Sequence, residues 1–244
     1  LFKEYIFPIV SAFLSAIFGA LIAYSTLKRQ ESLKLEKDKI DTANQWTLDI
    51  QKARSCLISI KQNYYRDLSD VPTQRLGETP TIFLKAEPIP ENYHSLGFIV
   101  PRSKKKSSDN QKWAQISRID TLVSNYNLLL NMWSKRNEIN EHFKRSLMAT
   151  YGNRAFHLLT LDDAVTAFGH AGMVVLLDLN ERCIKLTDDL IIEANDFLEN
   201  FPSVAKKKIN LKKVKGYSQL LTYSHDNNEK FLEMLTPIPQ PDYS

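Results

Sequence analysis

The residue types that could do chemistry are thinly spread over the 244 positions of this chain. Its five histidines are scattered, and no G-x-x-x-x-G-K, G-x-G-x-x-G, H-E-x-x-H, C-x-x-C or G-x-S-x-G string occurs. Phosphate-cradling loops, zincin sites, dithiol redox centres and nucleophile elbows are therefore missing as motifs. One short stretch stands out, Arg136-Asn137-Glu138-Ile139-Asn140-Glu141-His142. It places a permanent cation, two carboxylates and an imidazole on one predicted helix. Glu138, Glu141 and His142 lack a second set of ligands, so no metal site is expected there, and nothing in the chain calls for a cofactor. On a straight helix Arg136 and His142 point about 120° apart and differ in height by about 9 Å. They make one compact pair only with a second copy or a bend. A second chemistry-bearing stretch runs from Lys206 to Lys215, where Lys206, Lys207, Lys208, Lys212, Lys213 and Lys215 set six cations in ten residues. Such a cluster suits an anion, either phospholipid headgroups or an RNA backbone. No aromatic residue is interleaved for base stacking, which favours lipid or no ligand at all.

The remaining reactive types have plainer readings. Asp162–Asp163 and Asp188–Asp189 suit a helix cap and a solvated face. Cys56 and Cys183 fall on apolar stripes and read as reduced, buried thiols. Seven glycines in the whole chain argue against a turn-rich β protein.

The elements that must position these groups are helices. Tyr5 to Leu27 is a run of 23 residues without charge, long enough at roughly 34 Å to cross a bilayer core of about 30 Å. Lys28, Arg29, Lys34, Lys37 and Lys39 follow it, the opposite of a cleaved signal peptide, whose positive flank comes first. The positive-inside rule places the N-terminus outside and the bulk of the chain in the cytoplasm. Within the run, Ser11, Ser15, Gly19 and Ala23 recur every four residues, as do Ala12, Ala16 and Ala20, giving small-residue ridges that let helices approach closely in a membrane. Self-association there is expected. No glycine or proline occurs between Ala20 and Val71, so the helix is predicted to continue as a stalk to Leu68. Its apolar stripe is Ile40, Ala43, Trp46, Ile50, Ala53, Leu57, Ile60, Tyr64 and Leu68.

The segment 71–108 is punctuated by Pro72, Pro80, Pro88, Pro90 and Pro101 and reads as an insertion, with short hairpin strands at Thr81–Lys85 and Gly97–Val100. Ser108 or Asp109 is expected to cap the next helix, whose stripe Ile116, Ile119, Val123, Tyr126, Leu130, Trp133 meets polar residues at Asn137 and Asn140 and resumes out of phase at Ile139, Phe143 and Leu147. Gly152 ends that helix. Thr160-Leu-Asp-Asp163 predicts a capping box opening a long helix that Pro202 stops, with the uncharged Ala164–Leu177 as the central buried helix of a bundle. Tyr217–Ser224 and Asp226–Leu235 read as short helices. The partition is therefore 1–27 membrane helix, 28–70 stalk, 71–108 proline-rich insertion, 109–235 helical bundle and 236–244 proline-rich tail, an all-α chain.

Arg136-Asn137-…-His142 resembles the Arg-Asn/His-…-His motif of the HEPN superfamily of helical RNases and RNA-binding domains. The resemblance implies an all-α bundle whose arginine and histidine meet those of a second copy. Arg136 would hold a scissile phosphate bidentately and stabilise its developing charge. His142 would move protons near neutral pH, and Asn137 would orient the partners. With a single span and a stalk, the layout resembles membrane effectors of bacterial antiviral defence, especially the pore-forming HEPN-like membrane accessory proteins of type VI CRISPR systems. That likeness implies a homo-oligomer in the bacterial inner membrane, with RNA or an RNA-guided effector complex as a further partner and a motif serving structure or RNA sensing. Three functions stay open: a pore-forming or membrane-perturbing effector, a membrane-tethered metal-independent endoribonuclease, and a non-catalytic scaffold.

Overall fold

The computed structural model describes residues 7–66, 68–83, 85–101, 112–153, 160–223 and 229–241. Those residues form six α-helices and no strand. α1 runs unbroken over Phe7–Lys61, 55 residues, or about 82 Å. Its two halves have different surroundings. The described side chains from Phe7 to Leu27 are all exposed, although they are almost wholly apolar. The half from Ile40 onward is the spine of a helical body, with Ile40, Ala43, Trp46, Ile50, Ala53, Leu57 and Ile60 all buried. The apolar stripe is thus the core-facing stripe. The helix stops at Lys61, short of Leu68, and five residues of turn carry Tyr64 into the core against Trp133, with ring centroids 5.8 Å apart. By length and composition α1 is able to cross a membrane.

α5 (His170–Lys208) lies antiparallel to α1. Lys61 pairs with Asp188, Arg54 with Asn195, and Glu36 accepts from the Asn210 amide just beyond the helix. α3 (Ile116–Tyr151) packs on both. Pro202 was expected to stop α5, yet the helix continues two turns past it. Proline costs about 3 kcal/mol inside a helix, and here Phe197, Phe201, Val204 and Ala205, buried on both sides of it, outweigh that cost.

α4 (Leu161–Phe168) opens with the expected capping box: Thr160 Oγ1 accepts from the Asp163 amide, and the Asp163 carboxylate accepts from the Thr160 amide. The long helix expected from there is broken. Gly169 adopts φ +83° and separates α4 from α5. The 164–177 stretch is not a central buried helix either, since Val174 and Val175 are half exposed. A Cβ at Gly172 would meet the Phe168 ring at 2.8 Å, whereas nothing lies within 4 Å of one at Gly169.

The insertion is more ordered than its prolines suggest. Pro72 starts a short helix, α2 (Pro72–Glu78), and 93–99 is a 3-10 turn where a strand was expected, because Leu96 and Ile99 must both reach the core. Between them, 79–83 and 85–90 form a strap with neither helix nor strand that runs antiparallel to α3, and the expected hairpin is not formed among the described residues. Asparagine amides pin it in place of a β-ladder. Asn137 accepts from the Ile82 amide at 3.2 Å and donates to the Ile82 carbonyl at 2.6 Å; Asn127 does the same for Ile89 at 2.9 and 3.1 Å. Residues 108 and 109 lie outside the described residues. α3 itself begins later than expected, at Ile116, because a 3-10 turn at 112–114 buries Trp113 edge-on against Phe197.

Beyond α5, residues 217–223 form no helix, where one was expected. Asn44 of α1 donates to the Gln219 carbonyl and accepts from the Leu221 amide, a third clamp of the same kind. α6 (Glu229–Leu235) follows. The tail is pinned: the Ile238 amide donates to Asp188 and the Pro239 carbonyl accepts from Arg75.

Candidate functional site

Among the described residues, several buried polar side chains gather at the polar break in the α3 stripe: Arg75, Thr79, Arg136, Asn140 and Asn180. The stripe does not leave the core there. Arg136 and Asn140 take the next inward positions and are themselves buried, while Ile139 and Phe143 turn toward a second apolar cluster with Ala164, Phe168 and Leu176. The change of phase marks the point where one helix serves two cores.

Arg136 is fully buried. Its Nε donates to Asn180 Oδ1 at 3.1 Å, Nη1 to the Pro80 carbonyl at 2.9 Å, and Nη2 to the Thr79 carbonyl at 2.6 Å, with Leu76 O at 3.5 Å. Three of these acceptors are the carbonyls at and just beyond the end of α2, which a helix leaves unpaired and partly negative. The guanidinium therefore caps α2 and holds the entry of the strap. Burial lowers its pKa to about 10, still well above neutral pH. Asn180 passes the contact on, donating to Glu181 at 3.3 Å, and Glu181 pairs with Arg75 at 3.1 Å. Arg75, buried in turn, donates to the Ser69 and Pro239 carbonyls. Arg136 thus sits inside a network tying α2, α3, α5 and the tail. Arg75, Asn180 and Glu181 were not anticipated; Asn180 lies on the buried face of α5 between Leu176 and Cys183, and a polar residue there was the available signal.

His142 is elsewhere. It is exposed, its ring 5.5 Å from Phe168, at a cavity of about 360 Å³ lined with Glu138, Ile139, Arg145 and Gly172. The structure brings Arg136 and Asn137 together on the strap and leaves His142 apart from both. Phosphate binding by Arg136 would require it to release the carbonyls it now holds. Among the described residues no three His, Cys, Asp or Glu side chains converge as metal ligands would.

Two further places could receive a ligand. A cavity of about 640 Å³ opens between α1 and the strap, with Asp49, Lys52, Cys56, Phe83 and Tyr126 on its walls. Both cysteines are free thiols; burial raises the pKa of each, that of Cys183 to about 12, so neither is poised as a nucleophile. The lysine cluster, by contrast, is outward-facing. Lys206 and Lys207 lie in the last turn of α5 and Lys212, Lys213 and Lys215 in the turns that follow, all exposed, with Lys208 half-buried.

The ridge residues Ser11, Ser15, Gly19 and Ala23 are exposed on α1, and nothing lies within 4 Å of where a Gly19 Cβ would be. Comparison with protein-family models, curated proteins and solved structures finds no match.

Proposed function

We propose that the protein is a single-pass, oligomeric effector of the bacterial inner membrane, with its helical body on the cytoplasmic side and no active site of its own. The observation that carries this reading is the continuity of α1: one helix whose first half exposes an apolar surface all round and whose second half is the spine of the body. A soluble helix does not leave Phe13, Phe18 and Ile22 more than half exposed on every side without a partner of like polarity. The basic flank after Leu27 supports the inward orientation. The resemblance to HEPN-like membrane accessory proteins supplies the setting, antiviral defence, in which assembly through the span perturbs the membrane on activation.

The small-residue ridge is the assembly face. Replacing Ser15 and Gly19 together with leucine should leave membrane insertion intact and reduce the oligomer to smaller species, because bulk separates the backbones. Size in detergent and dye release from vesicles both report it. A wild-type ring that releases dye supports the effector; a stable monomer that releases none points to the scaffold, and an unchanged size in the double variant rules out that face.

The engagement of Arg136 with backbone carbonyls favours a structural role for the motif. Purified wild-type protein is expected to leave RNA uncut. Cleavage that Arg136→Ala and His142→Ala each abolish, with assembly intact, would establish the endoribonuclease instead.

A further inference from the structure

The antiparallel packing of α1 and α5 decides which end of the body carries the lysine cluster. α1 descends from its apolar run and α5 climbs back toward it, so the C-terminus of α5 is the end nearest that run. Contacts fix the height. The Asn210 amide donates to Glu36 at 2.6 Å, Lys213 Nζ donates to Ser32 Oγ at 2.8 Å, and Tyr217 Oη donates to Asp41 at 2.6 Å, its ring beneath Lys37. Ser32 and Glu36 lie about 8 and 14 Å along the helix axis from Leu27. A headgroup layer is roughly 6 Å deep and a Debye length about 8 Å. The cluster is thus within electrostatic reach of the plane where the apolar run ends.

The loop is also built to face outward. Ile209 and Val214 are buried anchors and Leu211 is half-buried, so the lysines between them are turned away from the core. Their cations join Lys28, Arg29, Lys34, Lys37 and Lys39, which circle α1 at the same height. Among the described residues, four carboxylates share that level. Two are engaged by the protein itself, Glu36 by Lys39 and Asn210, and Asp41 by Tyr217, while Glu31 and Asp38 are exposed. Eleven cations against these four acids leave the membrane-proximal rim strongly positive.

We infer that this rim, formed by Lys206 to Lys215 docked on residues 28–41 of α1, is a binding surface for anionic phospholipid headgroups that seats the body on the bilayer. The inference rests on the reading of α1 as a membrane span. Lipid fits better than RNA on geometric grounds: the rim encircles the point where the apolar run ends, no aromatic ring is interleaved among the lysines for bases to stack on, and the neighbouring Tyr217 ring is already engaged by Lys37 and Asp41.

The test uses the full chain in phosphatidylcholine nanodiscs doped with spin-labelled phosphatidylglycerol or spin-labelled phosphatidylcholine. Motion-restricted phosphatidylglycerol should be favoured roughly tenfold over phosphatidylcholine, a preference that shrinks with added salt, since each lysine near a surface contributes a several-fold effect. The variant with all six lysines of the cluster changed to glutamine should lose most of it. An equal preference in wild type and variant, or none in wild type, would overturn the inference while leaving the span intact. RNA bound through the six lysines without any phosphatidylglycerol preference would overturn it in favour of nucleic acid. A chain that stays in aqueous solution and never enters the nanodisc would overturn the membrane reading itself.

Discussion

Arg136→Ala is expected to lower the unfolding free energy by about 3 kcal/mol or more, since the buried Thr79 carbonyl and Asn180 Oδ1 each lose a donor, with the partly buried Pro80 carbonyl a smaller third loss, and an unsatisfied buried group costs about 1–3 kcal/mol. The Asn137 clamp should weaken with it, because α2 and the strap entry are held by the same guanidinium. Arg136→Lys should recover only a part, an ammonium being unable to reproduce a planar fork aimed at several separate acceptors. Denaturant unfolding of the full chain in detergent, followed by tryptophan fluorescence, reads this directly, with Trp133 one turn away. A loss below about 1 kcal/mol would mean that water readily replaces the guanidinium and that the network is not structural.

Lys61→Met should be of similar size, about 3–5 kcal/mol, the usual cost of leaving one member of a buried ion pair alone. Lys61 and Asp188 are 2.6 Å apart and almost wholly buried. Lys61 Nζ also donates to the Met234 and Thr236 carbonyls, and Asp188 accepts from the Ile238 amide. The single change should therefore do more than destabilise: it should raise amide exchange across 234–238 before global unfolding. Lys61→Met with Asp188→Leu should regain much of the stability but not the docked tail, because apolar pairs tolerate burial while the tail's backbone groups lose their partners. Equal exchange in wild type and single variant would show that the tail is held by Arg75 and apolar contacts alone.

How much of this could be read in advance depends on whether the determinant was local. The α1 stripe from Ile40 to Ile60 was legible because helical period and burial coincide residue by residue. So was the Thr160 capping box, which involves four consecutive residues. The strap, the non-helical 217–223 segment and the passage of α5 through Pro202 were not, because each is decided by a distant partner: Asn137 and Asn127 for the strap, Asn44 for 219–221, and, for the proline, the core that Phe197 enters edge-on against Trp113. Local propensity gives such segments to hairpins, helices or stops. The candidate site shows the same division. The polar residues on the α3 stripe were visible as an anomaly, but whether they faced a substrate or the protein's own backbone depended on where residues 76–82 run. Asp188 illustrates the other direction: beside Asp189 it reads as solvated surface, and only the approach of Lys61 from another helix makes it core.

The absence of any joint in α1 has a mechanical consequence. No glycine or proline lies between Gly19 and Pro72, and the helix is continuous from its apolar half into the spine of the body. For a helix seated in a bilayer, tilt is set in part by hydrocarbon thickness, a long apolar run leaning further in a thin membrane. The 34 residues from Lys28 to Lys61 form a lever of about 51 Å, so a 10° change in lean sweeps the far end sideways by about 9 Å. α1 has no break between its apolar half and the body with which to absorb that swing. Bilayer thinning, stretching or a change in neighbouring spans would be delivered to it as a displacement larger than a helix radius.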